Sequence, residues 1–233
     1  MAGSNYRNAL IVGAGSGLSA SLARLFAQTD MKVALASRTT DDLAAISEET
    51  GAKVFSCDAA KRAEVEKLFA DVDATQGQPD VVVYNASQRV RGPLIELDPA
   101  EVERSLAVSA FGGFLVAQAA VRRMLPGRHG AVFFTGASAS VKGYAQSAPF
   151  AMGKFALRGL AQSMAREFAP QGIHVAHVVI DGGIRSARRV TPPDQPDSLL
   201  DPDAIATTYL NLLQQPRSAW TWEIEIRPWV EKF

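Results

Sequence analysis

The sequence has one cysteine, Cys57, three histidines and no surplus of either charge, with 24 basic against 24 acidic residues among 233. A single thiol excludes an internal disulfide and fits a reducing compartment. Balanced charge removes the general case for nucleic acid or an anionic membrane as a partner. Met1 to Asn8 is polar and lacks the charged-then-apolar pattern of a signal peptide. No apolar run is expected to reach the ~18 residues that cross a bilayer. The expectation is a cytoplasmic protein with neither nucleic acid nor membrane as partner. No metal site is expected either. His174 and His177 lie three apart on one predicted strand and so face opposite ways. His129 sits in a turn beside Gly127 and Gly130, where solvation is the expectation.

What is present is a repeating alternation of short apolar runs and amphipathic stretches. Ala9 to Val12 is an apolar run stopped by Gly13-Ala14-Gly15-Ser16-Gly17, after which Leu18, Leu22, Leu25 and Phe26 recur at helical spacing. Strand, glycine turn and helix in that order form a phosphate cradle. The glycines let the backbone approach a pyrophosphate, and the helix N-terminus offers free N–H groups. A plain tight turn is the competing reading. Further strands are predicted at Lys32 to Ala36, Lys53 to Cys57, Val81 to Val83, Ala131 to Phe134, Ile173 to Ile180 and Trp220 to Ile226. Helices are predicted between them, including one long helix from Pro99 to Leu125 whose Gly112-Gly113 implies close packing or a kink. Cys57, ending a strand, reads as a buried small hydrophobe. The fold class is α/β, a Rossmann-type doubly wound sheet of seven mainly parallel strands flanked by helices. It forms a single domain over residues 1–233, with a lid loop at 185–200.

A second absence bears on the cofactor. The second strand ends in Ser37-Arg38 with no acid, about twenty residues after the glycines, where a Rossmann unit reads the adenosine ribose. A carboxylate there would bind a 2′-hydroxyl and repel a 2′-phosphate. Serine followed by a guanidinium suits NADP(H) over NAD(H), against the alternative of a solvated arginine.

With Asp58 after strand three, Asn85-Ala86 after strand four and Lys154 in the helix after strand five, the chain resembles the short-chain dehydrogenase/reductase family from about Arg7 to Ile226. The resemblance implies that Gly13, Ser16, Gly17 and Leu18 line the pyrophosphate, and that Ser37 and Arg38 meet the adenosine ribose end. It assigns Asp58 to the adenine and Asn85 and Ala86 to the adjoining ribose, with Ala59 and Val108 also among the cofactor-binding residues. Lys154 would hold the nicotinamide ribose, and the Gly182 to Ser186 turn, with Ile184, the carboxamide. It also implies a homodimer or homotetramer pairing through Pro99–Leu125 and the helix of Phe150.

The third absence lies where the family's chemistry should be. Its catalytic tyrosine, one helical turn before the lysine, is Phe150 here; its asparagine falls on Ser109 and its serine on Ala137, with Ser138 adjacent. A phenyl ring has no proton to give, and a positioned acid is worth ~10²–10⁴ in rate. Three groups are candidate substitutes: Tyr144 if it faces the substrate rather than the rim, Ser138 as a hydrogen-bond donor rather than a loop-stabilising hydroxyl, and Lys154 either relaying a proton through water or acting alone on a substrate that needs little acid help. That last route suits an activated C=C or C=N bond. The expected function is an oxidoreductase acting on a small-molecule substrate. The alternatives are a catalytically weak dinucleotide-binding sensor or partner, and a lyase or isomerase using the same pocket. Arg185, Arg188 and Arg189 would either draw an acidic substrate or form a solvated loop.

Overall fold

Short apolar segments bounded by glycine and polar turns become strands of one parallel sheet in the computed structural model, which describes residues 6–187 and 189–232. In chain order the elements are β1 (Asn8–Val12), α1 (Leu18–Gln28), β2 (Lys32–Ser37), α2 (Ala44–Thr50), β3 (Lys53–Ser56) and α3 (Arg62–Gln76). Then follow β4 (Val81–Tyr84), α4 (Pro99–Leu106), α5 (Gly112–Met124), β5 (Gly130–Thr135), α6 (Ala148–Phe168) and β6 (Ile173–Ile180). The chain continues through β7 (Gly183–Ile184), β8 (Leu199–Leu200), α7 (Pro202–Leu213) and β9 (Glu223–Ile226).

The sheet has seven strands in the order β3-β2-β1-β4-β5-β6-β9, every neighbour parallel. β4, β5 and β6 are buried along their whole length. Helices cover both faces, so these strands read as continuous apolar runs rather than alternating ones. One core lies between the sheet and α1, α2 and α7, the other between it and α3, α5 and α6. Strand order reverses between β1 and β4, and the gap at their C-terminal ends is where such sheets bind ligands. Cys57 is buried and its thiol is pushed up to about 11 by that burial.

The sequence expectations need four corrections. The long helix is interrupted by a π-helical turn at Ala107–Phe111 before α5 begins. The glycines explain the packing there. A Cβ on Gly112 would come within 2.8 Å of the Ala59 carbonyl oxygen, and one on Gly113 within 2.5 Å of Leu157. Second, Pro99–Met124 is long and apolar enough to cross a membrane by length and composition, but 56% of its apolar window is buried inside the protein, as in a core helix. Third, the last strand starts at Glu223, because Trp220 and Thr221 are tied back to Gln215: the Trp220 Nε1 donates to its carbonyl (3.2 Å) and the Thr221 N–H to its Oε1 (2.8 Å). Trp220 stacks on His174 at 4.7 Å. Fourth, His129 is half-buried and stacks on Tyr6 at 4.8 Å rather than being solvated. The segment 185–200 is anchored at its base by the two-stranded β7–β8 ribbon. Arg188 lies outside the described residues.

Candidate active site

Gly13 begins the turn after β1 with φ +86°, and a Cβ on it would fall on the backbone nitrogen of Ala86. Only glycine permits both that conformation and that approach. The N–H groups of Gly13 and Ala14 both donate to the Ala36 carbonyl at 2.9 Å, and the Asn85 N–H donates to Val12 at 2.8 Å. The turn is thus clamped between β2 and β4. Gly15 and Gly17, by contrast, have nothing within 4 Å of where a Cβ would stand. Gly17 starts α1 without a side-chain cap, so the first helical N–H groups remain for an anion. Ser19, at the place of the family's third glycine, donates to the Gly13 carbonyl (3.2 Å) and accepts from Asn85 Nδ2 (2.8 Å).

Two adjoining cavities meet at this turn. One, of about 570 Å³, runs from Gly13, Gly17 and Leu18 past Asn85 to Ser138, Phe150, Lys154, Gly182 and Ile184. The other, of about 220 Å³, is lined by Ser37, Arg38, Asp58, Ala59, Ala86 and Val108. Gly13, Asn85 and Ser87 belong to both walls. A linear pair of pockets joined over a glycine cradle fits a dinucleotide, with a basic end at Arg38. Of the expected cofactor residues, Ser16 is the one left out: it is exposed and lines neither cavity.

In the larger cavity Lys154 is 3% exposed and its Nζ donates to the Thr135 carbonyl at 2.7 Å. Burial brings its ammonium down to about 8. The Phe150 ring centroid lies 5.8 Å from that nitrogen, on the same side of α6. Ser138 lines the cavity, and its hydroxyl makes no hydrogen bond to another described residue. Its neighbour Ser140 is buried and accepts from the Ala137 N–H at 3.1 Å. Of the two readings of Tyr144, the structure matches the rim one. It is 47% exposed, sits beside the Lys142 ammonium (6.0 Å) and is absent from the cavity wall.

Ser109 is fully buried and serves the backbone: its Oγ accepts from the Gln88 N–H (3.2 Å), while Ser105 Oγ donates to the Gln88 carbonyl (2.8 Å). The loop so fixed carries a residue that sequence reasoning missed. Arg89 lies with its Cζ 4.9 Å from the Phe150 centroid, across the ring face. Arg185 does not stand free, since it pairs with Asp201 at 2.6 Å. Of the three loop arginines, Arg189 is the one that lines the cavity without an acidic partner among the described residues.

The family model for short chain dehydrogenases matches residues 7–191. The chain belongs to that family. It is similar to a short-chain dehydrogenase of Rhodopseudomonas palustris, with 34% identity, coverage of 96% of this chain and 99% of the other, and a TM-score of 0.82. A metagenomic short-chain oxidoreductase in complex with NADP is 25% identical over 97% of this chain and 98% of its own, at a TM-score of 0.84. Carbonyl reductase family member 4 of Xenopus tropicalis is 29% identical over 88% of this chain and 90% of its own length. Membership makes this a dehydrogenase-type chain with a nicotinamide-dinucleotide fold, and the cradle described above fits that ligand.

Proposed function

We propose that the protein is an NADP(H)-dependent oxidoreductase acting on a small carbonyl compound, its alcohol or an activated double bond, with a proton path that does not use a phenol. The observation that carries the reading is the end of β2. Arg38 stands there in the 220 Å³ cavity with no acid beside it on β2, and Ser37 leaves room for a 2′-phosphate. The bound cofactor supplies or accepts a hydride. The chain's residues hold it and shape the space beside it. The Gly13–Gly17 turn and the start of α1 hold the pyrophosphate by backbone N–H groups. Lys154 spends one N–H on Thr135 and keeps two for ribose hydroxyls and water. Ser138 offers a hydroxyl to a carbonyl oxygen. Phe150 offers an apolar wall and no proton.

The test is a pair of fluorescence titrations, in which NADPH should bind at least ~10-fold tighter than NADH, about 1.4 kcal/mol. Equal affinities would remove the Arg38 argument. A second reading, a dinucleotide-binding protein with little turnover, is favoured by the joint loss of the phenol, asparagine and serine at Phe150, Ser109 and Ala137. Saturable NADPH binding without turnover of any carbonyl or activated alkene supports it. The proposal includes a homodimer or homotetramer and neither nucleic acid nor membrane as partner. Exposed Phe111, Phe114, Met152 and Phe155 on the π-turn, α5 and α6 supply an apolar pairing face. A monomer in sedimentation at micromolar concentration would refute it.

A further inference from the structure

The larger cavity carries positive charge that its walls do not neutralise. Arg89 enters from the loop after β4 and Arg189 from the segment between β7 and β8, and both line it beside Ser138, Phe150 and Lys154. No aspartate or glutamate lines it. Neighbouring cations are already paired, Arg185 with Asp201 at 2.6 Å and Lys142 with Asp181 at 3.3 Å. Arg89 and Arg189 have no acidic partner among the described residues. Each also has a defined seat. Arg189 packs so closely on Gly183 that a Cβ there would meet its Nη1 at 2.7 Å. Arg89 lies across the Phe150 face, and the residue before it is fixed by Ser105 and Ser109. A guanidinium held over an aromatic face by cation–π attraction still has N–H groups to offer a ligand. Burial first, and then the like charges of Arg91 and Arg189, hold the Arg89 guanidinium below its ordinary pKa, so the two arginines feel each other. An anion between them relieves that repulsion.

We propose that Arg89 and Arg189 form an oxyanion subsite, and that the substrate is a carbonyl compound bearing a carboxylate or phosphate, seated across Phe150. The inference rests on the proposed function and deepens it by giving the substrate's charge. It also gives Ser109 a role: this serine helps position Arg89.

The test uses the full chain loaded with NADP⁺ and two matched pairs of probes, 4-oxopentanoate with its methyl ester, and dihydroxyacetone phosphate with dihydroxyacetone. Calorimetric titration should show the anion of at least one pair binding ~10-fold or more tighter than its neutral partner. The pair that responds distinguishes carboxylate from phosphate. The preference should weaken from 50 to 500 mM salt and fall below ~3-fold in Arg89→Gln and in Arg89→Gln/Arg189→Gln. Three results would overturn it: equal binding within both pairs, no binding of either anion at millimolar concentration, or an undiminished preference in the double variant. So would a tenfold loss of NADPH affinity in Arg89→Gln, since the arginine would then be gripping cofactor phosphates. The parent's NADPH titration separates this outcome from failure of the underlying reading. If the parent binds no NADPH, both fall; if it binds NADPH but ignores probe charge, only the subsite falls.

Discussion

Restoring the phenol, Phe150→Tyr, tests the site electrostatics without requiring a known substrate. The Phe150 centroid is 5.8 Å from Lys154 Nζ and 4.9 Å from Arg89 Cζ. At an effective dielectric near 20, a unit charge at about 6 Å stabilises a phenolate by about 3 kcal/mol, or about two pKa units. Arg89 stands toward solvent, so its share is screened to roughly one unit. Burial of the new hydroxyl in the cavity returns about one unit in the opposite direction. The net expectation is a phenol titrating near 8 rather than near 10. Tyrosinate absorbance at 295 nm, taken as the difference between variant and parent across pH 6–11, reads this directly. Burial raises three of the four parental phenols, Tyr6, Tyr84 and Tyr209, with Tyr6 going to about 12, and the exposed Tyr144 is common to both proteins and cancels in the difference. A new phenol titrating at 10 or above would refute the geometry, since it would mean that neither cation reaches the hydroxyl. With NADPH and a simple ketone, turnover should rise ~10²-fold or more if proton donation limits the parent. A shifted phenol without that gain would show that the missing acid is not the limiting defect.

Gly13→Ala should abolish measurable NADPH binding and cost about 2 kcal/mol or more of stability, since φ is +86° and the new methyl falls on Ala86; a thermal melt and a titration at parental values would remove the cradle argument. His177 is fully buried, bonds Glu223 through Nδ1 at 3.0 Å and has its pKa lowered to about 4, chiefly by burial. Glu223, Arg158 and Lys154 are the charged groups that act on it. Its folded pKa lies below the unfolded ~6.5, so the unfolded chain binds the extra proton and stability falls as pH drops from about 6.5 to 4, by up to about 3 kcal/mol. Urea midpoints at pH 4.5 and 6.5 should show a flatter slope in His177→Gln, and parallel slopes would count against the assignment.

The sheet and the cradle were legible because their signals are local. Four-to-eight-residue apolar runs, a glycine turn opening a helix and a lysine one turn after Phe150 need no knowledge of the path of distant loops. The residues expected at the cofactor from Gly13 to Ala86 stand at or just after strand ends, and strand ends are set by the same runs; Ser16 is exposed and lines neither cavity. The rest depends on where loops cross. Nothing in the spacing of Gln88-Arg89-Val90-Arg91 says that Arg89 will lie on Phe150, 61 residues later; the path is fixed by Ser105 and Ser109 holding Gln88. His129 was misjudged for the same reason, being stacked on Tyr6, and the choice between pocket and rim for Tyr144, which stands beside Lys142, was likewise a matter of loop path. The one sequence signal for Arg89 was a pair of arginines without acids after a strand-end asparagine, a pattern shared by any solvated loop.

The altered residues make physical sense as a set. A phenol beside a lysine provides positive charge and a proton at one place. Here the phenol is absent and two cations flank the ring in its place, Lys154 at 5.8 Å and Arg89 at 4.9 Å from the Phe150 centroid. A guanidinium is not deprotonated near neutral pH, so the site can stabilise negative charge developing on a substrate oxygen but cannot itself discharge it. On the proposed function the proton comes from water or from Lys154, whose buried ammonium at about 8 is the more acidic cation of the two. Such an arrangement suits substrates that spread the developing charge, such as a carbonyl conjugated to a double bond, over an isolated ketone, whose localised alkoxide needs its proton at once.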